Sequence, residues 1–419
     1  MTTRSEIAMQ PKTGLAVMTV ALCWLVALCE GMDLQAAGVV AGKLAPAFNL
    51  GPGPMGWFFS ASTAGLLIGA VVGGRLADHF GRKWVLIGSV VVFGLLTVAT
   101  AMSTRFPILL TTRFLTGLGL GGALPNLIAL VAEASDPRRK NLAVAIMYSG
   151  MPLGGALVSL VTLTPALGAS WTSVFHVAGV SPLLVVPMLV LFLPESRQFL
   201  EVREVKARSS GFMAALFQQG RTAPTLLLWA SFFCTLLVLY LLLNWLPTLL
   251  VSRGLTKPEA SRVQLAFNLV GSMATMATGW AIDTRYRLIG IVVTFLSLGT
   301  GLLLLIMVPT SPGSALLIGS LLGAAALASQ TILYAVAPDG YPTEVRGQGV
   351  GAAVSAGRFG SIVGPIVAAQ LLVGGRSPAE VLQAMLPLVA IGFGSTLMLG
   401  WVRSKQLRLV QHAATYPLP

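Results

Sequence analysis

Apolar runs of about 20 residues recur roughly a dozen times along this chain of 419 residues, and nothing else in the sequence limits its fold so severely. A helical run of that length crosses the ~30 Å hydrocarbon layer of a bilayer, where every backbone polar group must be satisfied within its own segment. The runs fall near residues 13–41, 55–78, 84–104, 107–134, 139–165, 171–194, 223–252, 259–283, 288–308, 313–338, 347–374 and 379–402. Hydrophobic residues make up 55% of the chain and charged residues 10%. A mean hydropathy of +0.83 leaves more apolar surface than a water-facing core can hide. Alternating ten-residue segments, the mark of a membrane β-barrel, are absent from the sequence. The expected class is an all-α membrane protein.

Cys23, Cys29 and Cys234 all lie inside these runs and read as small core residues, not as a disulfide framework. Arg4 and Lys12 precede the first run as in a signal peptide, but the run is too long for a secretory segment, so it is expected to be retained as the first span. The formal charge of +13 invites a polyanionic partner, and the placement of the charges argues against one. With the N-terminus inside, the inner loops hold 19 of the 27 Lys and Arg residues. The outer loops hold six, Lys43, Arg105, Arg253, Lys257, Arg262 and Arg376. This bias records membrane topology, puts both termini in the cytoplasm of a bacterial inner membrane and needs no nucleic acid.

The chain also repeats itself. In "GRLADHFGRK" Gly74 precedes Asp78 by four, and in "GWAIDTRYR" Gly279 precedes Asp283 by four; the offset is 283 minus 78, or 205. Pro137 and Pro342 differ by the same 205, as do Gly155 and Gly360. Two parallel six-span repeats follow, with expected boundaries at 1–194, a cytoplasmic linker at 195–222, a second bundle at 223–403 and a tail at 404–419.

"GRLADHFGRK", with Gly74, Leu76, Asp78, Gly81, Arg82 and Lys83, resembles the loop signature of the major facilitator superfamily. "RFLTGLGLGG" (113–122) and "LPESRQFL" (193–200) are similar to its fourth-helix and sixth-helix patterns. Within it, "EGMDLQAAG" (30–38), "NWLPTLL" (244–250) and "RGQGVGAAVSAGRFGSIVGP" (346–365) resemble the aromatic acid:proton symporters, and Glu30 leans to the branch of 3-(3-hydroxyphenyl)propionate importers. The resemblance implies the major facilitator fold, twelve helices in two pseudo-symmetric bundles, and transport by alternating access.

Inside the apolar runs, a few charges stand out. A carboxylate at a helix centre costs about 2.5–3.5 kcal/mol on insertion scales, so Glu30 and Asp33 are retained only if they face a wet cavity or change protonation. Three apart, they share a helix face and cannot easily both carry charge, which suits proton exchange; a structural ion pair is the alternative. Asp33 lies about eight residues, ~12 Å, below an outer end near Ala41, and Arg113 enters from outside at a comparable depth. The expected pairing is Arg113 with Asp33, leaving Glu30 to exchange the proton, though the two acids can trade roles. Arg358 has no carboxylate near it in sequence, so either a substrate carboxylate or a latch at the inner face uses it. The resemblance favours the former. Asn126, Tyr148, Tyr240, Asn244, Trp245, Gln330 and Tyr334 are candidates for aromatic faces and hydrogen bonds around a substrate.

Gly74, Asp78, Gly81, Arg82, Lys83, Glu133 and Arg346 form the expected cytoplasmic gate, a latch that holds the halves together when the cavity opens outward. Gly117, Gly119 and Gly122 satisfy G-x-G-x-x-G but lie in an apolar helix, where they mark close packing and not a nucleotide site. His79, His176 and His412 are scattered, so no metal is expected. No nucleophile and base share a depth, which argues against an enzyme. The expected function is proton-driven import of an aromatic carboxylic acid such as 3-(3-hydroxyphenyl)propionate or a hydroxybenzoate, with the proton gradient in place of a cofactor and a monomer as the working unit. The rivals are a proton antiporter exporting hydrophobic compounds, for which "SGMPLGG" (149–155) is a partial signature, and an importer of another organic acid.

Overall fold

A computed structural model describes residues 13–415 apart from 137–139, 197–211, 219, 283, 285, 343 and 344. Twelve long helices fill it: α1 (Thr13–Ala47), α2 (Pro52–Phe80), α3 (Arg82–Ala101), α4 (Phe106–Ala134), α5 (Lys140–Leu163), α6 (Trp171–Phe192), α7 (Thr222–Ser252), α8 (Lys257–Ile282), α9 (Arg287–Met307), α10 (Pro312–Val336), α11 (Arg346–Val373) and α12 (Leu386–Thr415). Twelve segments are long and apolar enough to cross a membrane, one in each of α1 to α11 and the last, Pro378–Trp401, running from a short preceding helix into α12. Exposed apolar side chains sheathe the outside, Leu184 at 70% and Leu317 at 75% among them, which only lipid tolerates as a continuous coat.

The chain marks several helix starts locally. Pro52 opens α2 and Pro312 opens α10, where the missing N–H is no loss. Ser170 accepts from Ser173 N at 3.1 Å to cap α6, and Ser311 forms a capping box with Ser314. Between α2 and α3 the chain turns on Gly81, whose φ of +91° suits glycine, and a Cβ there would come within 2.4 Å of Glu195 Oε2.

Packing repeats with the sequence. The first half pairs α1 with α5 and α2 with α4; the second pairs their counterparts, α7 with α11 and α8 with α10. The halves meet along α5–α8 and α2–α11, two seams that the pseudo-two-fold exchanges. Backbones approach closely at the glycines: a Cβ on Gly65 would lie 2.0 Å from Phe114 O, and one on Gly117 2.0 Å from Ser62 O. The glycines of "RFLTGLGLGG" therefore face neighbouring helices, as small residues do in membrane bundles. Gly155 and Gly360, 205 apart, are counterparts in space, against Gln35 of α1 and Phe233 of α7.

Several expected boundaries move. α1 runs on to Ala47, six residues past the expected end, because Lys43 donates to the Gly168 carbonyl and Pro46 sits within the last helical turns. The last expected span is interrupted: a short helix, Pro378–Gln383, ends before Met385, and α12 restarts at Leu386, since Pro387 has no N–H to offer the preceding turn. The helix then continues through most of the expected tail, 404–419. Most of the expected linker lies outside the described residues, as do Pro137 and Asp283 of the repeat; a short helix, Phe212–Phe217, is its described part.

Candidate functional site

Between the halves lies a small cavity of about 40 Å³, walled by α1 and α5 on one side and α7 and α10 on the other. Gln35, Tyr148, Tyr240, Asn244 and Gln330 supply its polar lining. Gly31 of α1 also faces it, in a position where a Cβ would strike Met151 O at 1.9 Å, so α1 and α5 touch directly below it. Glu30 precedes this glycine and sits 17 residues from each end of α1 (30 minus 13, and 47 minus 30). It is 2% exposed, and its Oε1 has no hydrogen-bond partner. The largest charge acting on it is Arg358 of the other half, with Asp33 second.

Asp33, one turn on, faces the interior of the first half instead. Its Oδ1 accepts from Arg113 Nη1 at 2.8 Å and from Thr97 Oγ1 at 2.6 Å, and its backbone carbonyl accepts from Arg113 Nη2 at 3.3 Å. The Arg113 guanidinium also rests over the Phe175 ring at 5.3 Å. Both ions are buried, and their contact offsets part of the cost of that burial, although Asp33 Oδ2 and Arg113 Nε find no hydrogen-bond partner among the described residues. The two acids therefore do not act as one pair. Asp33 is committed to Arg113, while Glu30 lacks a bonded partner on Oε1. Because α1 extends to Ala47, Asp33 lies 14 residues from its end, deeper than the eight expected.

Arg358, 3% exposed on α11, donates from Nη1 to the Tyr240 hydroxyl at 2.9 Å, while its Nη2 has no partner. Tyr148 and Tyr334 complete an aromatic collar around it, with ring centroids 5.8 Å apart. The Tyr334 hydroxyl is also buried without a partner. A guanidinium edge and a phenol hydroxyl, both unsatisfied, make a natural seat for a carboxylate. This burial is at odds with the latch alternative for Arg358, which requires a residue at the rim.

Four candidates are not part of the cavity lining: Arg358 and Tyr334, which stand behind Tyr240 and Tyr148, and Trp245 and Asn126, which bond elsewhere. Trp245 donates to Pro365 O at 3.0 Å and packs edge-on against Phe59 at 5.1 Å, so it ties α7 to α11 and α2. Asn126 returns its amide to Gly122 O at 2.8 Å, one turn back on its own helix. Asn244 lines the cavity with its amide bonded to Tyr240 O at 2.8 Å.

Sequence reasoning missed a polar cluster that joins the halves. Gln35 Oε1 accepts from Asn268 Nδ2 at 2.7 Å and from Gln264 Nε2 at 3.4 Å, all three side chains being buried. The available signal was the spacing of four between Gln264 and Asn268 in an otherwise apolar helix, which places both on one face. Further contacts close the cavity toward the Lys43 end: Ser60 Oγ donates to Ile362 O at 2.7 Å, and a Cβ on Gly38 would lie 2.5 Å from Leu243 O.

The expected gate residues lie at the opposite end, and those that bond do so within the first half. Arg82 pairs with Glu133, whose Oε2 accepts from Ser196 Oγ at 2.6 Å. Glu195, also missed from sequence, accepts from Lys83 N at 3.0 Å and Ser196 N at 2.9 Å; Lys83 Nζ donates to Val190 O at 2.9 Å. Gly74 borders open space, and Asp78 and Arg346 are exposed. Among the described residues no ion pair links Asp78 to Arg346, so the expected latch across the halves is not formed between them in this conformation. That fits a molecule sealed at the Lys43 end.

Known proteins share this architecture and much of this sequence. The family model described as "Major Facilitator Superfamily" matches residues 23–365. The chain is 43% identical over 382 residues to the 3-(3-hydroxy-phenyl)propionate transporter of Escherichia coli (strain K12), covering 90% of this chain and 92% of the relative. It is 33% identical over 435 residues to the 4-hydroxybenzoate transporter PcaK of Pseudomonas putida, covering 95% and 96%. The solved structure of the xylose transporter XylE from E. coli, in a partially occluded inward open conformation, superposes with a TM-score of 0.72 at 17% identity, covering 92% of this chain and 97% of that one. With its twelve apolar helices and paired six-helix halves, the chain is an integral multi-pass membrane protein, a transporter and not an enzyme, and it belongs to the Major Facilitator Superfamily, in the branch that holds these aromatic-acid transporters.

Proposed function

We propose that the chain imports an aromatic carboxylic acid, such as 3-(3-hydroxyphenyl)propionate or a hydroxybenzoate, together with protons, by alternating access to the central cavity. The observation that carries the reading is Arg358, a buried cation with an unsatisfied Nη2 whose Nη1 donates to Tyr240 of the cavity lining. An organic anion would satisfy Arg358 Nη2 in a way that no group among the described residues does. Glu30 is the proton-exchanging group, since the other buried acid is already bonded to Arg113 and Thr97. The names of the two relatives support the substrate class, both being hydroxylated aromatic acids. Both termini lie on the cytoplasmic side in this reading, and the motif end is the cytoplasmic rim.

The test is uptake of a labelled panel of aromatic acids into cells or right-side-out vesicles, with and without a protonophore. Concentrative uptake that collapses with the proton gradient is expected. Exclusion of the acids under an inward proton gradient, or accumulation indifferent to the protonophore, overturns the reading.

A further inference from the structure

The cluster of Gln35, Gln264 and Asn268 presents an imbalance. Three side-chain amides carry enough donors and acceptors to satisfy one another, yet both NH2 groups of α8 converge on one acceptor, Gln35 Oε1. Gln264 Oε1 and Asn268 Oδ1 are left buried without a donor. Turning the amides over does not cure this. Asn268 Nδ2 also donates to the Gln264 backbone carbonyl at 3.0 Å, which fixes its NH2 on that side and leaves Oδ1 on the other. Both α8 side chains are fully buried in this conformation, behind Gln35. Gln35 cannot swing toward α5, where a Cβ on Gly155 would already lie 2.0 Å from its Nε2. Gln35 is also the member that lines the cavity.

An unsatisfied buried acceptor is destabilising, and two in one cluster beside a cavity call for a group that brings the donor. The carboxylate seat at Arg358 offers donors only, whereas this cluster offers acceptors. We propose that Gln35, Gln264 and Asn268 form a second polar subsite of the cavity, which recognises a hydroxyl group on the ring of an aromatic acid whose carboxylate is held at Arg358. The proposal rests on the transport reading and sharpens it: the ligand is clamped at two chemically opposite points, an anion at α11 and a hydroxyl donor between α1 and α8. A site built to receive a hydroxyl discriminates strongly against the analogue lacking it, because the acceptors then stay unpaired.

The experiment uses the full chain in proteoliposomes and two ligand pairs that differ by one hydroxyl, 3-(3-hydroxyphenyl)propionate against 3-phenylpropionate and 4-hydroxybenzoate against benzoate. The wild-type chain is expected to favour the hydroxylated member of at least one pair by about tenfold or more in KM, the worth of one well-made hydrogen bond. Asn268→Leu and, separately, Gln264→Met are expected to bring that ratio down at least about fivefold by raising KM for the hydroxylated acid alone. A wild-type chain that carries both members of each pair equally well refutes the subsite while leaving transport standing. So does a variant that loses both members in parallel, the signature of a merely structural seam. A wild-type chain that carries none of the four acids under a proton gradient counts against the transport reading itself.

Discussion

Glu30 and Asp33 are three residues apart and equally buried, yet the structure treats them differently. Asp33 Oδ1 is bonded to both Arg113 and Thr97, and removing one of the two ions leaves a charge stranded in a low-dielectric interior. Arg113→Leu is therefore expected to lower stability by about 3–5 kcal/mol, read as a large drop in the unfolding temperature of the detergent-solubilised protein, and Asp33→Asn in the same chain is expected to recover part of it. Glu30 has no ion pair to lose. Glu30→Gln is expected to leave the unfolding temperature near that of the parent while abolishing accumulation against a gradient; concentrative uptake by this variant would sink the coupling role. Charges of this kind were legible in the sequence, because a charge inside an apolar run demands a reason. Gln264 and Asn268 escaped notice because an amide costs less in lipid than a charge, and neither hints at Gln35, more than 220 residues earlier, as its partner.

Among the helices, glycine does two opposite things, and the surroundings of an added Cβ tell them apart. On the α2–α4 seam a Cβ at Gly65 meets a backbone oxygen that cannot step aside, so Gly65→Ala is expected to destabilise by about 1–3 kcal/mol through forced separation of the helices. Gly88 in α3 and Gly299 in α9 border open space, and alanine at either is expected to be neutral or to stabilise by up to about 1 kcal/mol, since it is the better helix former. Thermal unfolding of the three variants side by side checks the contrast, and equal effects at Gly65 and Gly88 would refute it. The helices themselves were legible from hydropathy alone. Their ends were less so: the interruption at Met385 depends on Pro387, whose effect a hydropathy average does not register, and the extension of α1 depends on a carbonyl near the start of α6 that captures Lys43.

At the scale of the whole molecule, the offset of 205 residues announced two matching halves, and the pairing of α1 with α5 and α7 with α11 answers it. What no residue pattern announces is the conformation, since the same contacts must exist in one state and break in another. Here the halves are joined toward the Lys43 end through Ser60 and Ile362 and through the Gln35 cluster, while Asp78 and Arg346 stand apart at the other. Cysteines placed at Ser60 and Ile362, in a chain whose native cysteines are replaced, are expected to be joined by a short cross-linker, and uptake is expected to stop until the link is cleaved. Undiminished uptake by the linked protein would show that this seam need not open. The placement of Glu30 bears on the same cycle. The Glu30 side chain stands midway along α1, ~25 Å of helix from either of its ends. Under the proposed coupling, a hydrogen ion lodged there is no nearer one end of the helix than the other, so the position of Glu30 imposes no direction and the sense of net flow would belong to the electrochemical difference across the bilayer.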